Sequence, residues 1–336
     1  MLLYYFIYSN NLSFFSFKKR CPSNMESQNL TRVLEFHLLG LTDDSATQLI
    51  LLKIFLTMYL ITMLGNLLII LAVTSDTHLH TPMYFFLSIL SLADIGFSSS
   101  TVPKMLANLQ THSKSISYTG CLMQVAFFFF FGGLDSQLLA VMAYDRFVAI
   151  CHPLHYPIIM HSRLCGLLVL LALSIALLDS LAHCLMVSQF NFCTDVEIPN
   201  FFCDLPQLLK LACDYVSNSK LLLYLFAAVF GGLPLSGIIY SYAHIISSIQ
   251  RVPSASGKYK AFSTCGSHLS IVSLFYGTAL GAYCSSAVFH APKLLTVASV
   301  MYTMVTPMLN PFIYSLRNRD IKRALWFLAC KAAHCP

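Results

Sequence analysis

Four polar side chains interrupt stretches that are otherwise apolar: Asn66 in "GNLL", Asp94 in "SLADIG", Asp135 in "GGLDSQ" and Asn310 in "LNPFIY". A carboxylate in such a setting is costly to desolvate, so it is paired, protonated or bound to a cation. If the four segments adjoin, two carboxylates and two amides meet at one point. Two acids that close cannot both stay ionised without a cation, or one of them takes a proton. Two readings stand. One is a sodium or proton site that biases two helix arrangements; the other is a polar network that only packs. A further acid and base, Asp145 and Arg146 in "MAYDRFVAIC", close a long apolar run. On a helix they lie about 15–16 Å beyond Asp135. There Arg146 can pair with Asp145, reach water, or turn to a carbonyl of a docking partner. A snorkelling interfacial charge is the plainer alternative.

These residues need elements that cross an apolar medium. Of 336 residues, 57% are hydrophobic and only 10% charged, against about 25% charged in an ordinary soluble domain. Mean hydropathy is +0.70. Runs of about 20 apolar residues can span a bilayer as helices. Seven candidates stand out, at roughly 49–74, 82–106, 118–151, 164–187, 218–249, 260–287 and 293–316. Backbone groups in lipid must pair within their own segment, so helices are the economical solution, and the short alternating strands of a barrel are absent from the pattern. The expectation is an all-α membrane protein, a seven-transmembrane bundle over 49–316. After it, 317–336 forms a cytoplasmic tail whose "LRNRDIKRALWFLACK" reads as a short amphipathic helix 8 on the inner leaflet. Cys330 and Cys335 there are either acylated or free thiols.

Arg146, Arg163, Arg251, Lys258, Arg319 and Arg323 fall on one side of the predicted spans. Most acids of the connections fall on the other. Positive charge marks the cytoplasmic side, so the N-terminal segment 25–48 is expected outside. The sequon at Asn29 agrees, as does the placing of Cys193, Cys203 and Cys213 in one outer connection. Residues 1–24 fit poorly, because Lys18, Lys19 and Arg20 follow an apolar stretch instead of preceding it. The expectation is initiation at Met25 with an upstream extension before it; the alternative is a weak anchor or signal.

The stretches "LHTPMYFFLSILSLADIGFSSSTVPKML" (79–106), "MAYDRFVAICHPLHYPIIM" (142–160), "SYAHII" (241–246), "KAFSTCGSHLSIVSLFYGT" (260–278) and "PMLNPFIYSLRN" (307–318), with "GN" at 65–66, together resemble one family. The chain is similar to the olfactory (odorant) receptors among class A, rhodopsin-like G-protein-coupled receptors, from about Met25 to Lys331. That resemblance implies roles. Arg146 would be the switch that engages a G protein, with Asp145 its resting partner, and Tyr242 and Tyr314 would swing toward Arg146. Asn310, Pro311 and Tyr314 form the helix 7 motif, in which Pro311 breaks the hydrogen-bond ladder. Cys121 would bond to Cys203, and Cys193 to Cys213. Tyr276, in "FYGT", would be the ligand-sensing toggle. Phe147 departs from the family's usual Tyr after Asp-Arg, which removes one hydroxyl at the membrane edge.

The expected ligand cavity draws on Phe128, Phe129, Gly132 and Gly133 of helix 3, near Ser136. Facing them are Phe226 and Phe230 of helix 5, Tyr276, Ala279 and Tyr283 of helix 6, and Thr303 of helix 7. Such a cavity is apolar and aromatic, as suits a small volatile ligand. The two glycines serve either ligand space or close helix packing. An odorant burying about 250 Å² gains roughly 6 kcal/mol before association costs, which means micromolar or weaker binding. Helix 7 (294–316) holds no lysine for a retinal Schiff base. Asp179 and His183 share a face of helix 4, as a polar anchor, a metal pair or a self-paired couple.

The expected partners are a small volatile odorant, a heterotrimeric G protein of the olfactory, stimulatory kind, and the bilayer; no nucleic acid is expected. No cofactor is expected beyond a sodium ion or proton at Asp94 and Asp135, and no enzymatic motif such as HExxH, GxSxG or a Walker loop occurs. The expected output is raised cyclic AMP, from the plasma membrane of olfactory sensory cilia. The alternatives are a class A receptor for a small metabolite and a multi-span transporter. The second would need pseudo-symmetric halves, which the sequence lacks.

Overall fold

The structure is a computed structural model that describes residues 34–42, 44–192, 196–212, 217–251, 254–284, 292–317 and 319–332. The segment 1–33, the sequon at Asn29 and both cysteines of the Cys193–Cys213 expectation lie outside the described residues.

The first span, α1 (Ser45–Ser75), starts four residues before the apolar run. Asp44 caps it, accepting the Thr47 amide at 2.9 Å, which satisfies one of the donors a helix start leaves open. It is followed by α2 (Pro82–Thr111), α3 (Tyr118–Cys151) and α4 (Ser162–Ser188). Helix α5 runs Ser217–Phe226 and Leu233–Gln250, with a wider π-helical turn, Ala227–Gly232, between. Helix α6 is Ala255–Cys284. Helix α7 runs Pro292–Val300 and Thr306–Arg317 around a second π-helical turn, Met301–Val305. A last amphipathic helix, α8 (Arg319–Ala332), packs back on α1. Five helices, α1 to α5, are long and apolar enough to cross a membrane among the described residues.

Helix α3 is the hub, packed against α2, α4, α5 and α6, while α7 closes the bundle against α1, α2 and α6. The core runs through Leu87, Leu90, Leu138, Leu139 and Ile245, all fully buried. The outer faces stay greasy: Leu170, Leu177, Leu181 and Leu185 of α4 are exposed. On a soluble protein such a stripe would be an aggregation liability; against lipid it is the solvent-facing surface.

Three prolines shape the bundle. A helical residue normally donates its N–H to the carbonyl four back, and proline cannot. Pro234, Pro307 and Pro311 therefore free the carbonyls of Phe230, Thr303 and Pro307. A neighbouring helix fills each vacancy. Gln137 Nε2 of α3 donates to Phe230 O at 3.4 Å, Ser98 Oγ of α2 to Thr303 O at 3.4 Å, and Asn66 Nδ2 of α1 to Pro307 O at 3.2 Å. The first two prolines each lie two residues past the end of a π-helical turn.

One end of the bundle carries a lid absent from the all-α expectation. Strand β1 (Glu35–Leu38) pairs antiparallel with β2 (Ser115–Ser117) and parallel with β3 (Glu197–Ile198). Phe36 and Leu38 point inward while Glu35 and His37 face out, the two-residue period of a strand with one buried face. The chain after β3 dives into the bundle: Asn200, Phe201 and Phe202 are buried, and Asn200 Nδ2 donates to Ser299 Oγ at 3.2 Å. Cys203 is joined to Cys121 at the start of α3, Cα atoms 5.5 Å apart. Its amide donates to Gln124 Oε1 at 2.9 Å, and Gln124 Nε2 donates to Ser100 O at 3.1 Å.

Candidate functional site

Asn66, Asp94, Asp135 and Asn310 are all buried, from 0 to 5% exposed. Asn310 Nδ2 lies 2.9 Å from both oxygens of Asp94. Asn66 donates to Thr62 O as well as Pro307 O. Asp135 feels the charge of Asp94. Oδ1 of Asn66, Asp135 and Asn310 accepts no hydrogen bond among the described residues. A site with two carboxylates and orphaned buried oxygens suits a hard cation or a shared proton.

Toward the lid from this cluster, the aromatic residues of α3 divide into two groups. Phe128 packs on Phe97, Phe202 and Tyr302, with ring centroids 5.0, 5.6 and 5.7 Å away, so it faces α2, α7 and the lid. Thr303 is buried beside that group, its hydroxyl donating to Ser299 O. Phe129 faces the other way, stacked on His183 at 3.7 Å, with Phe226 edge-on to the same imidazole and Phe230 beyond it. His183 Nδ1 sits 2.8 Å from Asp179 O and 2.9 Å from Asp179 Oδ1, so the two helix 4 residues adjoin.

Between the two groups, Ser136 Oγ and the Tyr276 hydroxyl share a hydrogen bond of 2.8 Å that joins α3 to α6. Ala279 is one turn from Tyr276 on α6 and half-buried; the Tyr283 side chain lies outside those described. The glycines are close-packing positions here. A Cβ on Gly132 would meet Phe97 at 3.1 Å, and one on Gly133 would meet Asp179 Oδ2 at 3.1 Å. Of the expected ligand residues, Phe128 and Thr303 thus lie on one flank of α3 and Phe129, Phe226 and Phe230 on the other, with the Ser136–Tyr276 link between them.

At the opposite end of α3, the expected ion pair is not formed. Asp145 is buried and accepts from the Tyr156 hydroxyl at 2.8 Å. Arg146 is its electrostatic neighbour but turns its guanidinium to the Met83 sulfur. The physical reason is competition: the short helix Tyr156–Ile159 presents a hydroxyl to a carboxylate that is already buried. Burial and the adjacent Asp145 push the Tyr156 phenol above its usual range, so it stays a donor. Tyr242 bonds His268 Nδ1 at 2.9 Å, and His268 Nε2 lies 3.1 Å from Leu139 O. A carbonyl only accepts, so a singly protonated ring carries its proton on Nε2 and receives the Tyr242 hydroxyl at Nδ1. Tyr314 reaches the Met142 sulfur, 3.9 Å away. Tyr242, His268 and Tyr314 all lie within the field of Arg146.

A family model described as "Olfactory receptor" matches residues 55–331. The chain belongs to the olfactory receptor family. It is 64% identical over 312 residues to olfactory receptor 7E24 of Homo sapiens, covering 93% of this chain and 92% of the relative. Against olfactory receptor 7E178 of Mus musculus the identity is 61% over 311 residues, covering 93% and 94%. The crystal structure of squid rhodopsin superposes with a TM-score of 0.68 at 18% identity, covering 85% of this chain and 88% of that one; the likeness shows a shared fold.

This olfactory receptor is thus a multi-pass membrane receptor with a rhodopsin-like bundle and not an enzyme. Two residues at its Arg146 end differ in how far the sequence announces them. His268 carried a usable signal, since an ionisable side chain within a span is a functional candidate. Tyr156 carried none, because nothing local ties a loop phenol to a carboxylate eleven residues earlier. Within α3, Gln124 and Gln137 are legible only as polar residues inside a span.

Proposed function

We propose that this receptor binds small, mostly apolar volatile molecules between α3, α5 and α6, and passes the signal to a stimulatory, olfactory-type G protein that raises cyclic AMP. The observation that carries the reading is the hydrogen bond between Ser136 and Tyr276. It is a polar link between α3 and α6 in a largely aromatic neighbourhood. A ligand that competes for that hydroxyl loosens α6 from α3. Further along α6, His268 holds Leu139 O and Tyr242. Displacing α6 would break that contact and release Tyr242 toward Arg146, the residue proposed to meet the G protein with Asn310, Pro311 and Tyr314 as the bending segment of α7. In this reading the lid faces outside, the Arg146 end faces the cytosol, and the receptor works at the plasma membrane of sensory cilia.

The same reading gives Asp94 and Asp135 a sodium ion or a proton, with Asn66 and Asn310 as further oxygen donors. Bound there, the positive charge would balance two neighbouring acids and favour one arrangement of α2, α3 and α7.

The test is a cyclic AMP reporter in cells supplied with the olfactory G-protein α subunit and challenged with a volatile panel. Arg146→Ala at equal surface expression is expected to abolish every response. A mutant that signals normally would remove Arg146 from the coupling surface.

A further inference from the structure

At the Arg146 end, α8 folds back against α1 and leaves a cavity of about 350 Å³ between them. That volume is in the range of small-molecule sites. Its walls have opposite charge. On one side are Ser75, Asp76 and Thr77, where α1 ends; on the other are Arg323 and Phe327 of α8. Asp76 accepts both the His78 amide and His78 Nδ1 on its Oδ1, at 3.0 and 2.9 Å, and leaves Oδ2 without a hydrogen bond among the described residues. These bonds, with Arg323 across the cavity, hold its carboxyl below the usual range, so it is ionised at neutral pH. The last carbonyls of a helix add partial negative charge on the same side. Arg323 is exposed and rests over the Phe327 ring, 5.6 Å from its centroid. It forms no ion pair with Asp76.

The surroundings are those of a lipid boundary. Trp326 and Phe327 of α8 are exposed beside the cavity mouth. From Ser75 an apolar track leads along α1 through Leu71, Leu67 and Leu64, all exposed; residues at these spacings lie on neighbouring positions of one helix face. A molecule that fits must offer a negative group to Arg323, a positive hydrogen-bond donor to Asp76, and chains for the leucine track.

We propose that this cavity binds the headgroup of an aminophospholipid, with the phosphate on Arg323, the primary ammonium on Asp76 and an acyl chain along Leu71, Leu67 and Leu64. A purely anionic headgroup would satisfy Arg323 and be repelled by Asp76. A quaternary ammonium carries the charge but no N–H to donate, whereas a primary ammonium has three.

The chain holds one tryptophan, Trp326, so its fluorescence reports on this corner alone. The full-length receptor is placed in phosphatidylcholine nanodiscs. Small equal fractions of acyl-brominated phosphatidylethanolamine, phosphatidylcholine or phosphatidylglycerol are added as quenchers. Phosphatidylethanolamine is expected to quench at roughly threefold to fivefold lower fraction than either other lipid, the scale of a few surface charge contacts. Arg323→Gln and Asp76→Asn should each cancel that preference and leave quenching by brominated phosphatidylcholine unchanged, which shows that the variant is folded and inserted. Asp76→Asn should in addition turn the preference toward phosphatidylglycerol. Equal quenching by all three lipids in the wild-type receptor overturns the proposal, as does stronger quenching by phosphatidylglycerol or a preference that survives both substitutions. No signalling is read, so the outcome is independent of odorant and G protein.

Discussion

A single hydroxyl can be assigned a sign at the Arg146 end. Tyr156 and Arg146 compete for one buried carboxylate, Asp145, and in this structure Tyr156 holds it. Tyr156→Phe removes the competitor and nothing else of size. Asp145 is then a buried acid without its donor, a loss of about 1–3 kcal/mol, and the nearest compensation is the Arg146 guanidinium. Drawing Arg146 into that pair would withhold it from the G protein proposed as its partner. The variant should therefore give a lower maximal cyclic AMP response at matched surface expression, and an unchanged maximum would mean that Asp145 does not restrain Arg146. The outer link answers to the same reasoning. Tyr276→Phe deletes the bond to Ser136, which is about 1 kcal/mol or a fewfold change in an equilibrium. Dose-response curves for active odorants should shift by that order, and identical curves for several agonists would take Tyr276 out of the pocket. Residues such as Asp94, Asp135, Asn66 and Asn310 were legible in the sequence because polarity inside a greasy run is conspicuous. Their partners were not, since Asn310 finds Asp94 across 216 positions.

At the scale of elements, the apolar runs announce helices plainly, and amphipathicity announces α8. The π-helical turns of α5 and α7 are less legible: the sequence shows Pro234 and Pro307 but not which neighbour takes up the freed carbonyl. That pairing can be tested as a cycle. Gln137→Leu strips Phe230 O of its donor, in a region where water cannot replace it, at a cost of about 1–2 kcal/mol. Pro234→Ala restores a backbone N–H that can bond the same carbonyl. The loss from Gln137→Leu should thus be smaller in the Pro234→Ala background, a coupling of about 0.5–1 kcal/mol that thermal unfolding in detergent would register as non-additive shifts. Strict additivity would mean that Gln137 does not cap the break in α5. The lid strands are not legible in the sequence, for a physical reason. Two to four residues are too few for a period, and β1 pairs with segments about 80 and 160 positions away, so only the assembled bundle brings them together.

For the whole molecule, the lid is tied into the bundle, because Phe201, Phe202 and Cys203 are buried against α2, α3 and α7. The next residue, Asp204, begins the helix Leu205–Leu211. Burial pushes its carboxyl up to about 7, against the pull of Lys210 and a hydrogen bond with Asn200. The direction has a definite consequence. An acid whose folded value lies above its unfolded one binds protons more readily in the packed state, so packing is favoured at low pH and weakens as pH rises. The change begins near the model-peptide value of about 4 and is complete once pH passes about 7. Amides of Phe201, Phe202 and Cys203 should then exchange more slowly at pH 5.5 than at pH 8 once intrinsic exchange rates are divided out. Asp204→Asn, which keeps the shape and removes the charge, should hold the slower exchange at both values. If the wild-type ratio is flat across that range, Asp204 is ionised in the packed lid, and the salt link to Lys210 outweighs desolvation there. If exchange is slower at pH 5.5 as expected, acidity tightens the lid, and under the proposed function odorant on-rates should slow along with exchange, because the proposed ligand site lies beneath the same segment.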